Sequence, residues 1–165
     1  MNVGIDLGYS SVKAIGGTGR AITFPSVVGT PEKGRFSLDG NTDIVLDIPG
    51  HGMSLIGESA IMQSRFIDRR EDRDWIKGDA YYKLMLASFT ELTAATVCDL
   101  VVVTGLPVAF YSNDRDSLRD RFLGEHRATR EGRRTQVFRV VDCRVIPQPF
   151  GALLSVALNS KGQVA

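Results

Sequence analysis

The order in which apolar patterns follow one another constrains this chain more than any single residue does. Alternation over Val3–Leu7 reads as a strand, Gly8–Ser10 as a turn and Ser11–Ile15 as a second strand. "RAITFPSVV" adds a third strand from Arg20 to Phe24, stopped by Pro25, which has no N–H to give to a ladder. "DWIKGDAYYKLMLASFTELTAA" carries Trp75, Tyr81, Leu84, Met85, Ser88 and Leu92 near helical spacing. "DLVVVTGLP" is an apolar run closed by Gly105 and Pro107, the pattern of a central parallel strand. Asn113 and Asp114 are placed to cap a helix, "RDSLRDRFLG", that ends at Gly124. "RTQVFRVVDCRVI" reads as a strand and "QPFGALLSVALNS" as a final helix.

Residues from about 30 to 60 interrupt this order. "RFSLDGNTDIVLDI" reads as a hairpin around Asp39, Gly40 and Asn41, and "MSLIGESA" as a short strand. With that β-rich insertion set aside, the order is three strands, helix, strand, helix, strand, helix. It predicts an α/β domain with an antiparallel three-strand start and two later strands laid parallel by crossover helices. This order is similar to that of ribonuclease H-like domains. The chain of 165 residues is long enough for one sizeable core, here 1–29 and 61–165, with the insertion as a small upper subdomain.

Composition removes several functional classes. A net charge of +1 gives no whole-chain attraction to nucleic acid or to a membrane surface. Cys98 and Cys143 are too few and too distant for a CxxC motif or a disulfide framework, and both lie in apolar runs expected to bury them as free thiols. With His51 and His126 the only histidines, a histidine zinc site or a histidine-driven triad has little to work with. No charged segment leads into an apolar leader run at the N-terminus, so a cytoplasmic location and no membrane partner are expected.

The carboxylates separate two uses of such a fold. A two-metal nuclease needs several converging acids, but "VVVTGLP" ends without one and the long helix offers only Glu91 near its far end. Asp6 on the first strand instead stands beside a turn of Gly8, Tyr9, Ser10 and Ser11, followed by Lys13. Such a turn can expose consecutive backbone N–H groups to an anion, Lys13 can reach a phosphate, and Asp6 can hold waters around Mg²⁺. An ordinary hairpin with a capped aspartate and a solvated lysine would use the same residues.

"DLGYSSVK" resembles the first phosphate loop of the actin, sugar kinase and heat-shock chaperone superfamily. "FPSVVG", "LIGESA", "VVTGLPVAFY" and "VIPQPFGALLS" follow in an order similar to that of bacterial and archaeal actin-like proteins of the plasmid-segregation type, over nearly the whole chain. The resemblance implies an N-terminal lobe that binds ATP and Mg²⁺ in a cleft shared with a second lobe. It further implies that Gln148, at the start of the linking helix, orients the water that attacks the γ-phosphate. Gln148 would then be catalytic together with Asp6, the residue that also holds the metal through water. Gly151, Ala152 and Ser155 fit a helix that a neighbour approaches closely.

No second Gly-rich hairpin precedes "NSKGQVA", so this chain alone is expected to bind nucleotide weakly at best and to lack turnover. By the resemblance, the intact protein self-associates into filaments, acting in DNA segregation or as a cytoskeletal element, and meets DNA through an adaptor rather than directly. A lobe of a sugar or acetate kinase, and a non-catalytic interaction module, remain as alternatives. "RFIDRREDRD" reads as a solvated, self-paired face, and "HRATREGRR" as a basic hairpin tip that is a solvated turn rather than a contact for DNA, an adaptor or a filament neighbour.

Overall fold

A computed structural model describes residues 1–31, 43–64, 67–68 and 73–150 of the chain. The first strand, β1 (Asn2–Leu7), turns back into β2 (Ser11–Gly16), which pairs with β3 (Ala21–Pro25), all antiparallel. The long helix α2 (Asp79–Leu92) leads to β8 (Val97–Leu106), laid parallel to β1. Helix α3 (Val108–Phe122) and strand β9 (Gly124–Arg130) then precede β10 (Gln136–Pro147), which lies parallel to β8. Between β3 and α2 come β4 (Val28–Gly29), β5 (Ile44–Ile48), β6 (Gly52–Ile56), helix α1 (Glu58–Gln63) and β7 (Ile67–Asp68). The strand order is β3-β2-β1-β8-β10-β9-β5-β6-β4-β7. The expected three-strand start and parallel crossovers are present.

One face of the central sheet is closed by α2 and α3. Val3, Ile5 and Leu7 of β1, Val12 and Ala14 of β2, and Leu100 and Val102 of β8 alternate into this layer. Phe89 of α2 meets Phe122 of α3 at 6.5 Å and Phe138 of β10 at 5.5 Å between ring centroids, so one aromatic cluster joins three elements. Each fully buried side chain of this size contributes about 1.5–3 kcal/mol.

Several boundaries differ from the sequence reading. Trp75 belongs to a short 3-10 helix, Arg73–Lys77, that ends where the Gly78 N–H donates to the Trp75 carbonyl at 3.0 Å, and α2 starts only at Asp79. Asn113 and Asp114 do not cap α3. The helix begins at Val108, because Pro107 ends β8 and its φ of −54° leads directly into the first turn. Glu58, Ser59 and Ala60 belong to α1 rather than to a strand. Cys143 is buried, but Cys98 is only half-buried near the start of β8.

The largest omission is β9. "HRATR" alternates inward at His126, Ala128 and Arg130, and pairs antiparallel with the first half of β10. Arg130 is buried against Glu91 of α2 in an ion pair, and the Arg133 guanidinium donates to the Thr90 carbonyl at 2.8 Å. Arg130 is thus structural rather than solvated, while Arg133 stays exposed and is anchored by its one bond to α2. The acidic and basic stretch before α2, and the hairpin expected around Asp39, Gly40 and Asn41, fall mostly or wholly outside the described residues.

A bulge divides β10. Val140 lies opposite Leu100 and Asp142 opposite Val101, so Val141 is an extra residue. Inward positions accordingly change from Gln136, Phe138 and Val140 to Cys143 and Val145. Beyond it, the strand delivers residues 148–150, in helical conformation, to the end of the sheet.

Candidate functional site

Among the described residues the second face of the central sheet is open, with Ile15 52% and Val103 37% exposed. Asp6 and Lys13 emerge on this face and are direct cross-strand partners in the β1–β2 register. Asp6 is therefore exposed although its strand neighbours Ile5 and Leu7 are buried. A groove of about 690 Å³ runs over this face, lined by Asp6, Gly8, Lys13, Thr23, Gly105 and Gln148 among others.

The turn after β1 is braced from outside the motif. The Gly8 N–H donates to the Ser11 carbonyl at 3.2 Å, the Ser26 hydroxyl donates to the Gly8 carbonyl at 2.5 Å, and the Ser26 N–H donates to the Ser10 carbonyl at 3.1 Å. A side chain at position 8 would place its Cβ 3.1 Å from the Ser11 carbonyl oxygen, so glycine fits the tight return. Tyr9 leans on Trp75 at 6.1 Å, and the Trp75 indole N–H donates to the Leu7 carbonyl at 3.2 Å. The segment before α2 thus holds the end of β1 in place.

Gln148 reaches this turn from the far end of the chain. Its Nε2 donates to Asp6 Oδ1 at 3.3 Å, the one protein hydrogen bond of the Asp6 carboxylate among the described residues. Lys13 has no ion pair among them. Gln148 also lines a smaller, more enclosed pocket of about 180 Å³ with Trp75, Tyr81, Pro107, Phe110 and Asp114. Burial pushes the Tyr81 hydroxyl far above its usual range, with Thr104 beside it acting in the opposite direction, so it remains a neutral phenol.

The residues singled out from the sequence therefore fall into one place: Asp6, Gly8, Tyr9, Ser10, Ser11 and Lys13 on the first hairpin, Gln148 across from them. Gly151, Ala152 and Ser155 lie outside the described residues. Glu91 is far from serving as a second metal acid with Asp6, being committed to Arg130. No group of three or more His, Cys, Asp or Glu side chains among the described residues could enclose a metal by itself. Sequence reasoning missed Ser26, Trp75 and Gly105, of which only Gly105 left a signal, as a glycine in a strand beside the groove.

With this arrangement, the chain belongs to the family described as actin-like proteins, N-terminal domain, whose pattern matches residues 4–151. Its fold is similar to that of the pSK41 ParM protein, with a TM-score of 0.81 and 17% identity over 99% of this chain and 54% of that one. An archaeal actin homolog, Ta0583, gives 0.82 and 23% over 94% and 48%. A ParM from Clostridium botulinum, solved as a 15-stranded filament, gives 0.75 and 22% over 93% and 49%. The chain spans about half the length of these structures. No curated protein sequence matches it. No described helix is long and apolar enough to cross a membrane.

Proposed function

We propose that this chain is the phosphate- and metal-binding half of an actin-like ATPase that closes on MgATP together with a second lobe. The observation that carries the reading is the 3.3 Å bond from the Gln148 amide to Asp6 in a groove that also holds Lys13. The donor set suits the ligand. An exposed carboxylate with a single protein partner fits a hard cation that keeps most of its waters, and a lysine without an ion pair among the described residues fits a phosphate as a point charge.

When bound, MgATP would supply the phosphoryl group and a cation that offsets its charge. Asp6 would hold metal-bound water, the Gly8–Ser11 turn and Lys13 would hold phosphate oxygens, and Gln148 would orient a water. An amide suits that last role: its N–H is engaged by Asp6 while its carbonyl oxygen can accept from the water. The intact protein would self-associate into filaments, in line with relatives solved as filaments, and the upper region of about 30–60 would make the contacts. Our reading extends to a role in DNA segregation through an adaptor, or as a cytoskeletal filament in the cytoplasm.

The test is ATP hydrolysis by a protein carrying this chain with a second lobe. Asp6→Ala should abolish Mg²⁺-dependent turnover, and Lys13→Ala should weaken nucleotide binding, while the 165 residues alone show little or no binding by calorimetry. Wild-type turnover by the Asp6 variant would refute the assignment, and self-association without hydrolysis in the parent would favour an interaction module.

A further inference from the structure

Gly105 occupies the floor of the groove between the two residues just joined. On β8 it follows Thr104, which lies opposite Ile5 of β1, and it lies opposite Ile146 of β10, two residues before Gln148. Any side chain at 105 would rise on the open face, between the strand that carries Asp6 and the strand end that carries Gln148. A Cβ built there would lie 2.9 Å from Gln148 Cγ, closer than side-chain carbons approach one another, and 3.7 Å from Gln148 Cα. The backbone gives no separate reason for glycine, since φ at 105 is outside the left-handed region. Glycine inside a strand costs conformational entropy and supplies nothing to pack. Its one steric return here is the seat it leaves for the glutamine.

We infer that Gly105 is a positioning residue for Gln148: the missing side chain lets the glutamine lie flat over β8 and bring its amide to Asp6. The inference rests on the proposed role of Gln148 in hydrolysis, but its structural half stands without it. A methyl group at 105 does not displace backbone. It meets the middle of a flexible side chain, so the cheapest response is a different Gln148 rotamer and loss of the bond to Asp6. The fold should survive and the site should not.

Two measurements separate the parts. In the 165-residue chain, the side-chain amide resonances of Gln148 and the carboxyl resonance of Asp6 should shift in Gly105→Ala, and the Asp6 shift should match the one produced by Gln148→Ala. Resonances unchanged from wild type would overturn the inference whatever Gln148 does. In the two-lobe protein, Gly105→Ala should lower kcat by about ten- to a hundredfold with KM for ATP nearly unchanged, as expected when a positioned group moves by about an ångström. In the Gln148→Ala background, where Cγ is gone, adding Gly105→Ala should lower kcat no further and should leave the melting temperature equal or slightly higher. Additive losses in that double variant would show that Gly105 acts on the fold and not through Gln148, and would refute the inference. Moved resonances with wild-type kcat would instead refute the hydrolytic role of Gln148 and leave the positioning intact.

Discussion

His126 illustrates how far the fold can change a residue's chemistry. Its Nε2–H donates to the Phe122 carbonyl at 2.8 Å, which leaves Nδ1 to accept from the Tyr82 hydroxyl at 3.2 Å. Burial holds its pKa below the ordinary value, with the Phe122 bond opposing. The unfolded chain therefore takes up this proton at a higher pH than the folded one. Stability from this source is complete above the ordinary histidine range and is lost as pH falls through it toward the folded value, by at most about 1.4 kcal/mol per pH unit. Urea unfolding at pH 7.5 and 5.5 should show wild type losing more stability than His126→Gln over that interval. At this scale the opening stretch pointed to Asp6 and Lys13, and the family resemblance pointed to Gln148. The sequence could not reveal Trp75, whose service to Leu7 is a contact across 68 positions, or Ser26, an ordinary serine until the Gly8 carbonyl is placed over it.

Among the elements, β10 carries the most consequence per residue. The parity of its inward positions changes at Val141, and Gln148 inherits its placement from the second half. Deleting Val141 would make Val140 and Asp142 consecutive opposite Leu100 and Val101, so Cys143 and Val145 would stay inward and the ladder to β8 would become regular, losing only the local bend. Val141→Thr, at a position 61% exposed, should stay within about 0.5 kcal/mol of wild type in the same urea titration. The bulge was not legible in "VVD", because its parity is counted only against the strand beside it. Helix α2 was legible because its buried positions repeat; its start was not, because Gly78 ends one kind of helix and precedes another.

At the scale of the whole molecule, the order of strands and helices carried the fold because parallel crossovers leave few arrangements open. It did not carry β9, whose charged residues hid an alternation that only its neighbours satisfy. That strand has β10 on one edge and β5 on the other, but the two ladders are unequal. β5 meets β9 only through Leu46 opposite Arg130 and Asp47 opposite Thr129, whereas β8 and β10 share ten aligned pairs. His51, in the turn between β5 and β6, adds a contact to Asp79 at the start of α2, a carboxyl whose pKa burial raises and Lys83 and His51 bring down overall. The upper sheet thus shares few backbone pairs with the central one, while Ile44, Leu46, Ile48 and Ile56 pack into the same core as α2. In deuterium oxide, the amides of Ile44–Ile48 and Gly52–Ile56 should exchange by a partial opening that leaves the central strands protected, at a free energy below that of global unfolding. A region tied to the central sheet by so few backbone pairs can shift while the strands bearing Asp6 and Gln148 keep their register.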